Sequence, residues 1–375
     1  MSASTDPAAR DVDADPATSH DDDADQPLAF RLLDEGLVPE PVLARVIDLR
    51  VARLVDRHRS LPPDVRDRDV VALRRSLDDQ PITVHTAAAN AQHYEVPTAF
   101  FRLVLGPHLK YSSGLWSTDD DLGGAERRML DLTLDRAGLA DGQVVLDLGC
   151  GWGSVSLLAA ERFPASRIVG VSNSRTQREF VLAEAAARGL DNLDVVTADI
   201  ATFTPADAGI FGRVDRIVSV EMLEHVRNHR RLFARVADWL ADDGAMFVHV
   251  FSGRDLGFAF DADDPTDWVA RYFFSGGLMP SDDLLLHRQQ HLVCTDHWWI
   301  AGHHYQRTAL AWLDNLHAHR DEVLELFTAD VGADQARAWY RRWAAFFLTV
   351  AGLWGHDGGR TFGVSHYRFT PRPTV

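Results

Sequence analysis

Val144-Val145-Leu146-Asp147-Leu148-Gly149-Cys150-Gly151-Trp152-Gly153 is an apolar run that ends in three alternating glycines and opens into Ser154-Val155-Ser156-Leu157-Leu158. The run has the length and β-branched content of a buried strand, and it feeds a helix through a tight turn. Glycines suit such a turn because it bends sharply and because a Cβ would hold the backbone away from a ligand. A dinucleotide fingerprint requires G-x-G-x-x-G. Here Ser154 stands where the third glycine belongs, and Gly153 comes one residue early. Asp147 precedes the first glycine by two positions, so the motif reads D-x-G-x-G-x-G.

Around this turn the composition is that of a globular enzyme. The chain has 375 residues, 46% hydrophobic and 25% charged, enough for about two domains. No apolar run is long enough to span a bilayer. Residues 1–27 are rich in Asp, Ala and Pro without an apolar core, which predicts a disordered acidic tail and no signal peptide. Two cysteines, Cys150 and Cys294, make no disulfide framework and fit a cytoplasmic location. A net charge of −17 argues against nucleic acid as a partner. Between Val42 and Arg75 the balance shifts, with Arg45, Arg50, Arg53, Arg57 and Arg59 among apolar residues. Such a segment serves as a solvated helix face or as a peripheral membrane contact, and the first use is the commoner.

Three regions follow: the tail, a helical N-terminal region over 28–92 broken at Pro62-Pro63, and a catalytic domain over 93–375. Within the last, strands at Arg167 to Ser172, Leu193 to Ala198, Val214 to Val220 and Ala245 to Phe251 alternate with helices from Arg175 and from about Asn228. This alternation predicts an α/β fold: a doubly wound, mostly parallel sheet with helices on both faces and ligands at the carboxyl ends of its strands. Residues 255–300 interrupt the alternation and read as an inserted cap. Helices from Thr308 and Ala333 then lead to a final strand, Phe362 to Phe369.

The D-x-G-x-G-x-G turn resembles the S-adenosylmethionine (SAM) loop of class I methyltransferases. The resemblance implies Gly149 and Gly151 beside the methionine moiety and Asp147 near its ammonium group. After the second strand, Asn173 and Gln177 are neutral hydrogen-bonding groups suited to ribose hydroxyls. After the third, Asp199 can accept from the adenine amino group or simply cap a helix. The motifs His93-Tyr94-Glu95-Val96-Pro97, Tyr111-Ser112-Ser113, Leu223-Glu224-His225-Val226 and His304-Tyr305-Gln306-Arg307-Thr308 resemble the cyclopropane-fatty-acyl-phospholipid synthase family in order and spacing. Within it the chain is most similar to the coclaurine and pavine N-methyltransferase branch, which shares the Tyr-Ser-Ser turn and a Gly-Val-Ser-His-Tyr strand. This likeness implies SAM contacts at Tyr111 and Ser112 and a helical acceptor-binding cap.

The two branches of the family assign residues differently. An amine acceptor must be neutral, which calls for a base, and Glu224 with His225 is the expected pair. An alkene acceptor leaves a carbocation. For that case the resemblance implies a bicarbonate held by Glu224, His249 and Tyr305 and by a Cys-containing turn. Ser113 replaces that cysteine, which favours an amine over an unsaturated acyl lipid. Tyr305 and His249 keep the bicarbonate reading open. Each residue also has a plain structural use: Glu224 at a helix start, His249 as a hydrogen-bonded core histidine, Tyr305 as packing. A non-catalytic SAM-binding module is the remaining alternative. His287 and His291 have the spacing of a helical metal pair, but Arg288-Gln289-Gln290 lacks a zincin glutamate, so no metal site is expected.

Overall fold

The computed structural model describes residues 26–84, 96–261 and 264–373. The tail expected over residues 1–27, apart from Gln26 and Pro27, and the His93-Tyr94-Glu95 motif lie outside the described residues.

Val144–Leu148 (β1) is buried on both faces and pairs in parallel with Arg167–Ser172 (β2) and Val214–Val220 (β4). Leu193–Thr197 (β3) adds to β2, and Leu240–Gly253 (β5) adds to β4, both in parallel. Leu292–Ala301 (β8) and Phe362–Pro371 (β9) complete a seven-stranded sheet of order β3-β2-β1-β4-β5-β9-β8, in which β9 runs antiparallel to both neighbours. Phe258–Ala259 (β6) and Leu278–Met279 (β7) form a separate two-stranded ribbon. The chain turns to opposite sides of β1 after β3, so the crevice of a doubly wound sheet opens at the carboxyl ends of β1 and β4.

Helices start and stop where local chemistry demands. Leu122–Ala137 begins on Asp121, whose carboxylate accepts from Gly124 N at 2.7 Å, and ends on Gly138 at φ 67°. Arg175–Arg188 begins on Ser174 and ends on Gly189 at φ 67°. In chain order the helices are Leu28–Asp34 (α1), Glu40–Ser60 (α2), Pro63–Asp78 (α3), Thr98–Val104 (α4), Leu122–Ala137 (α5), Ser154–Arg162 (α6), Arg175–Arg188 (α7) and His229–Trp239 (α8). Trp268–Tyr272 (α9), His303–Ala318 (α10), Arg320–Val331 (α11) and Ala333–Gly355 (α12) complete the set among the described residues. The N-terminal region breaks at Pro62-Pro63 as expected, and also between α1 and α2.

The inserted cap is shorter than the 255–300 expected. Leu292–Ala301 is the edge strand β8, hydrogen-bonded along its length to β9. Its Cys294-Thr295-Asp296-His297 stretch hid the strand. An edge strand carries polar side chains on its open face, and a register shift between Cys294 and Asp296 breaks its alternation. Residues from the α1–α2 pair, the β6–α9–β7 segment, α10 and α12 form one apolar cluster above the sheet, with Phe30, Val51, Phe273, Trp312 and Trp343 buried in it.

Candidate active site

The glycine turn after β1 has the predicted shape. Gly149 has φ +82°, and a Cβ there would stand 2.7 Å from Met222, so residue 149 must be glycine. Gly151 has φ +52° with open space around its missing Cβ. Both line a cleft with Thr83, Ser172, Asn173, Gln177, Asp199, Ile200 and Met222. The Gln177 side chain is oriented by Ser172, whose hydroxyl donates to Oε1 at 2.8 Å. Asp199 accepts from Ala201 N at 2.8 Å, so it both shapes the turn after β3 and faces the cleft. Asp147 stands apart from this lining. It is buried at the end of β1, accepts from the Ser156 hydroxyl at 2.6 Å, and burial pushes its carboxyl up to about 6. An open backbone at Gly151 framed by neutral amides and one carboxylate fits a nucleoside with a cationic amino-acid arm.

A second cavity of about 630 Å³ adjoins the first, and Glu221 and His225 line both. Its walls are apolar: Phe30, Leu33, Ile47 and Val51 from α1 and α2, Phe251, Phe258, Phe260, Trp268 and Phe274 from the sheet end and cap, and Trp312, Phe346 and Trp354 from α10 and α12. A volume of this size suits a small molecule rather than a macromolecule. Tyr111 lines this second cavity, its ring packed against Phe101 and Trp312. Ser112, the other residue of that turn expected at the SAM contact, is buried and accepts from the Lys110 ammonium.

Where the two cavities meet, the chemistry centres on Glu221, a residue the sequence reading passed over. His249 and Tyr305 meet Glu221 rather than Glu224. The Tyr305 hydroxyl donates to Glu221 Oε2 at 2.7 Å, and His249 Nε2 lies 3.2 Å from Oε1. The Ser113 backbone N–H approaches the same Oε1 at 3.4 Å. Burial pushes the Glu221 carboxyl up to about 7, against the pull of Lys110, Tyr305, Ser113 and His225. Glu221 also holds φ +47°, a left-handed conformation that is costly for a non-glycine residue and that concentrates at functional sites. The strand-end position of Glu221, three residues ahead of Glu224, was the signal available in the sequence.

Glu224 and His225 sit just beyond, in a single turn of 3₁₀ helix. Glu224 is buried, and neither of its carboxyl oxygens meets a partner among the described residues. Burial, reinforced by Glu221, raises its carboxyl well above the usual range and so favours the neutral acid. His225 packs on Phe274 at 4.7 Å, and burial lowers it to about 4, so the ring is neutral. Lys110 is also fully buried; its ammonium donates to Ser112 and, at 2.8 Å, to the Ser113 carbonyl, and burial lowers it toward neutrality. Among the described residues no group of three or more His, Cys, Asp or Glu side chains is arranged to hold a metal ion. No helix among them is long and apolar enough to cross a membrane.

Comparison with known proteins bears on this geometry. The profile of the mycolic acid cyclopropane synthetase family matches residues 83–350. The chain is 32% identical to (S)-coclaurine N-methyltransferase of Thalictrum flavum subsp. glaucum, over 91% of its own length and 94% of that enzyme's. It is 29% identical to the cyclopropane-fatty-acyl-phospholipid synthase of Escherichia coli K12, over 63% of this chain and 58% of that enzyme. A crystal structure of coclaurine N-methyltransferase bound to N-methylheliamine and SAH superposes with a TM-score of 0.86 at 30% identity, covering 91% of this chain and 98% of that one.

Proposed function

The chain belongs to the mycolic acid cyclopropane synthetase family of SAM-dependent methyltransferases, and within it we propose that it methylates the nitrogen of an apolar small-molecule amine. The observation that carries this reading is the position of the Glu221 carboxylate. For an alkene acceptor the family resemblance implies a bicarbonate held by Glu224, His249, Tyr305 and the turn at residue 113. Here the last three converge on the protein's own Glu221 carboxylate. A built-in anion with a carboxyl near neutrality is a general base, and an amine acceptor needs one because only its neutral form has a lone pair to offer.

Gly149, Gly151, Asn173, Gln177 and Asp199 hold the donor in this reading, with Thr83 closing the cleft. SAM supplies an electrophilic methyl group on a sulfonium. The protein does the rest by positioning, with charge and dryness at the junction of the two cavities. Glu221 removes the proton from the bound ammonium, and Tyr305 steadies its carboxylate through one hydrogen bond. His225, neutral, offers a further acceptor toward the amine. Protonated Glu224 acts as a donor beside them, not as a second base. The aromatic walls favour the cationic product face as well as an apolar body.

Aromatic secondary amines and vesicles of monounsaturated phospholipid, each incubated with the enzyme and SAM, test this reading by SAH release. Turnover on amines and none on vesicles is the expected result. Turnover on the vesicles alone would replace it with the acyl-chain chemistry, and none on either class would favour the non-catalytic alternative.

A further inference from the structure

Behind Glu221 a chain of polar groups crosses the sheet. His249 on β5 and His366 on β9 are paired across the two strands, and neither side chain has any solvent exposure. His366 Nε2 lies 2.9 Å from His249 Nδ1, and His249 Nε2 lies 3.2 Å from Glu221 Oε1. At the far end Arg136, from α5, places Nη1 2.7 Å from His366 Nδ1, with its guanidinium 4.5 Å over the Trp298 ring.

The direction of this chain follows from its end group. A guanidinium has donors and no acceptor. Arg136 must therefore donate to His366 Nδ1, which leaves the His366 proton on Nε2. That proton is given to His249 Nδ1, which leaves the His249 proton on Nε2, facing Glu221. Burial and the nearby cations Lys110 and Arg136 hold both rings neutral. Every hydrogen bond then points toward the carboxylate. Such a chain can stabilise a negative Glu221 but cannot carry a proton away from it, because each ring nitrogen that would receive one already holds one.

We propose that Arg136 and His366 are positioning residues, which lock His249 in the tautomer that donates to Glu221 and thereby keep Glu221 ionised at the pH of the reaction. The proposal rests on the reading of Glu221 as the base. Several other groups face that carboxylate: Tyr305 from α10, Lys110 and Ser113 from the turn before α5, and Glu224 and His225 from the 3₁₀ turn. They are untouched by a change at Arg136, which makes that residue the clean point of intervention.

The test is the pH profile of kcat/KM for an amine at saturating SAM, in the wild type, Arg136→Met, Arg136→Lys and Glu221→Gln. Arg136→Met is expected to move the acidic limb upward by about one pH unit, a loss of about fivefold at pH 7 that approaches tenfold below the limb. Its activity recovers at alkaline pH, and Arg136→Lys restores the limb. A uniform loss at all pH values, or no movement of the limb, would overturn the proposal while leaving Glu221 as base. Full activity of Glu221→Gln would instead overturn the base reading. If Arg136→Met does not fold, ¹⁵N-histidine NMR of the wild type decides: both buried histidines are expected as neutral Nε2–H tautomers, and an Nδ1–H form of His249 would sink the relay.

Discussion

Glu221 combines three properties that are each uncommon: a left-handed backbone, hydrogen-bond partners on both carboxylate oxygens, and a carboxyl pushed up to about 7 by burial. A base must be deprotonated to act, so amine methylation rises with pH through about 7 and levels off above it. His225, lowered to about 4, adds no limb between pH 5 and pH 9. A stopped assay of kcat/KM against pH checks both statements. Glu221→Gln keeps the shape and most of the hydrogen bonds and is expected to lower kcat/KM by about 100-fold or more, with SAM affinity by calorimetry unchanged. At this scale the sequence was half legible. Asn173, Gln177 and Asp199 line one cleft with Gly149 and Gly151 at the strand ends. Glu221, the acid that meets His249 and Tyr305, was not among the expected residues, because contacts separated by 28 and 84 positions are set by how strands pair and helices dock, not by spacing within a motif.

The elements that position the site are a glycine turn and a pair of helices from opposite ends of the chain. Gly151→Ala puts a methyl group into the open donor side of the turn at φ +52°. The expected result is a fall in SAM affinity of about tenfold or more, with a stability loss of about 1–3 kcal/mol for the left-handed residue. Calorimetric titration and thermal unfolding measure the two. The α1–α12 contact is held by Arg342, whose Nε and Nη2 reach Asp34 at 3.0 and 2.6 Å with both side chains largely buried. The guanidinium also stacks on Tyr272 and Trp339. Asp34→Ala leaves that guanidinium without its partner and is expected to cost on the order of 3 kcal/mol, read as a lower Tm. Because α1 and α2 wall the acceptor cavity, KM for the amine rises more than kcat falls. The parallel strands and their helices were legible from periodicity, since strands buried on both faces write continuous apolar runs. β8 was not, because its pairing on one side only leaves it free to carry polar residues.

Over the whole molecule, one sheet carries the donor cleft, and segments remote in sequence close the acceptor cavity over it. Residues of α1 and α2 face residues of α10 and α12 across the aromatic space above Glu221 and His225. The sequence announced the sheet through its Asp147 to Gly153 turn and announced the family through motifs scattered along the chain. It could not announce the cavity, whose walls come from stretches far apart in the chain and exist only once they pack. In the proposed reaction the methyl group placed at the junction of the two cavities goes to nitrogen and stays whole. Mass spectrometry of the product made with methyl-deuterated SAM tests this most directly. N-methylation gives a product that retains every deuteron of the transferred methyl group; loss of one deuteron, as closure of a cyclopropane ring requires, would rule it out.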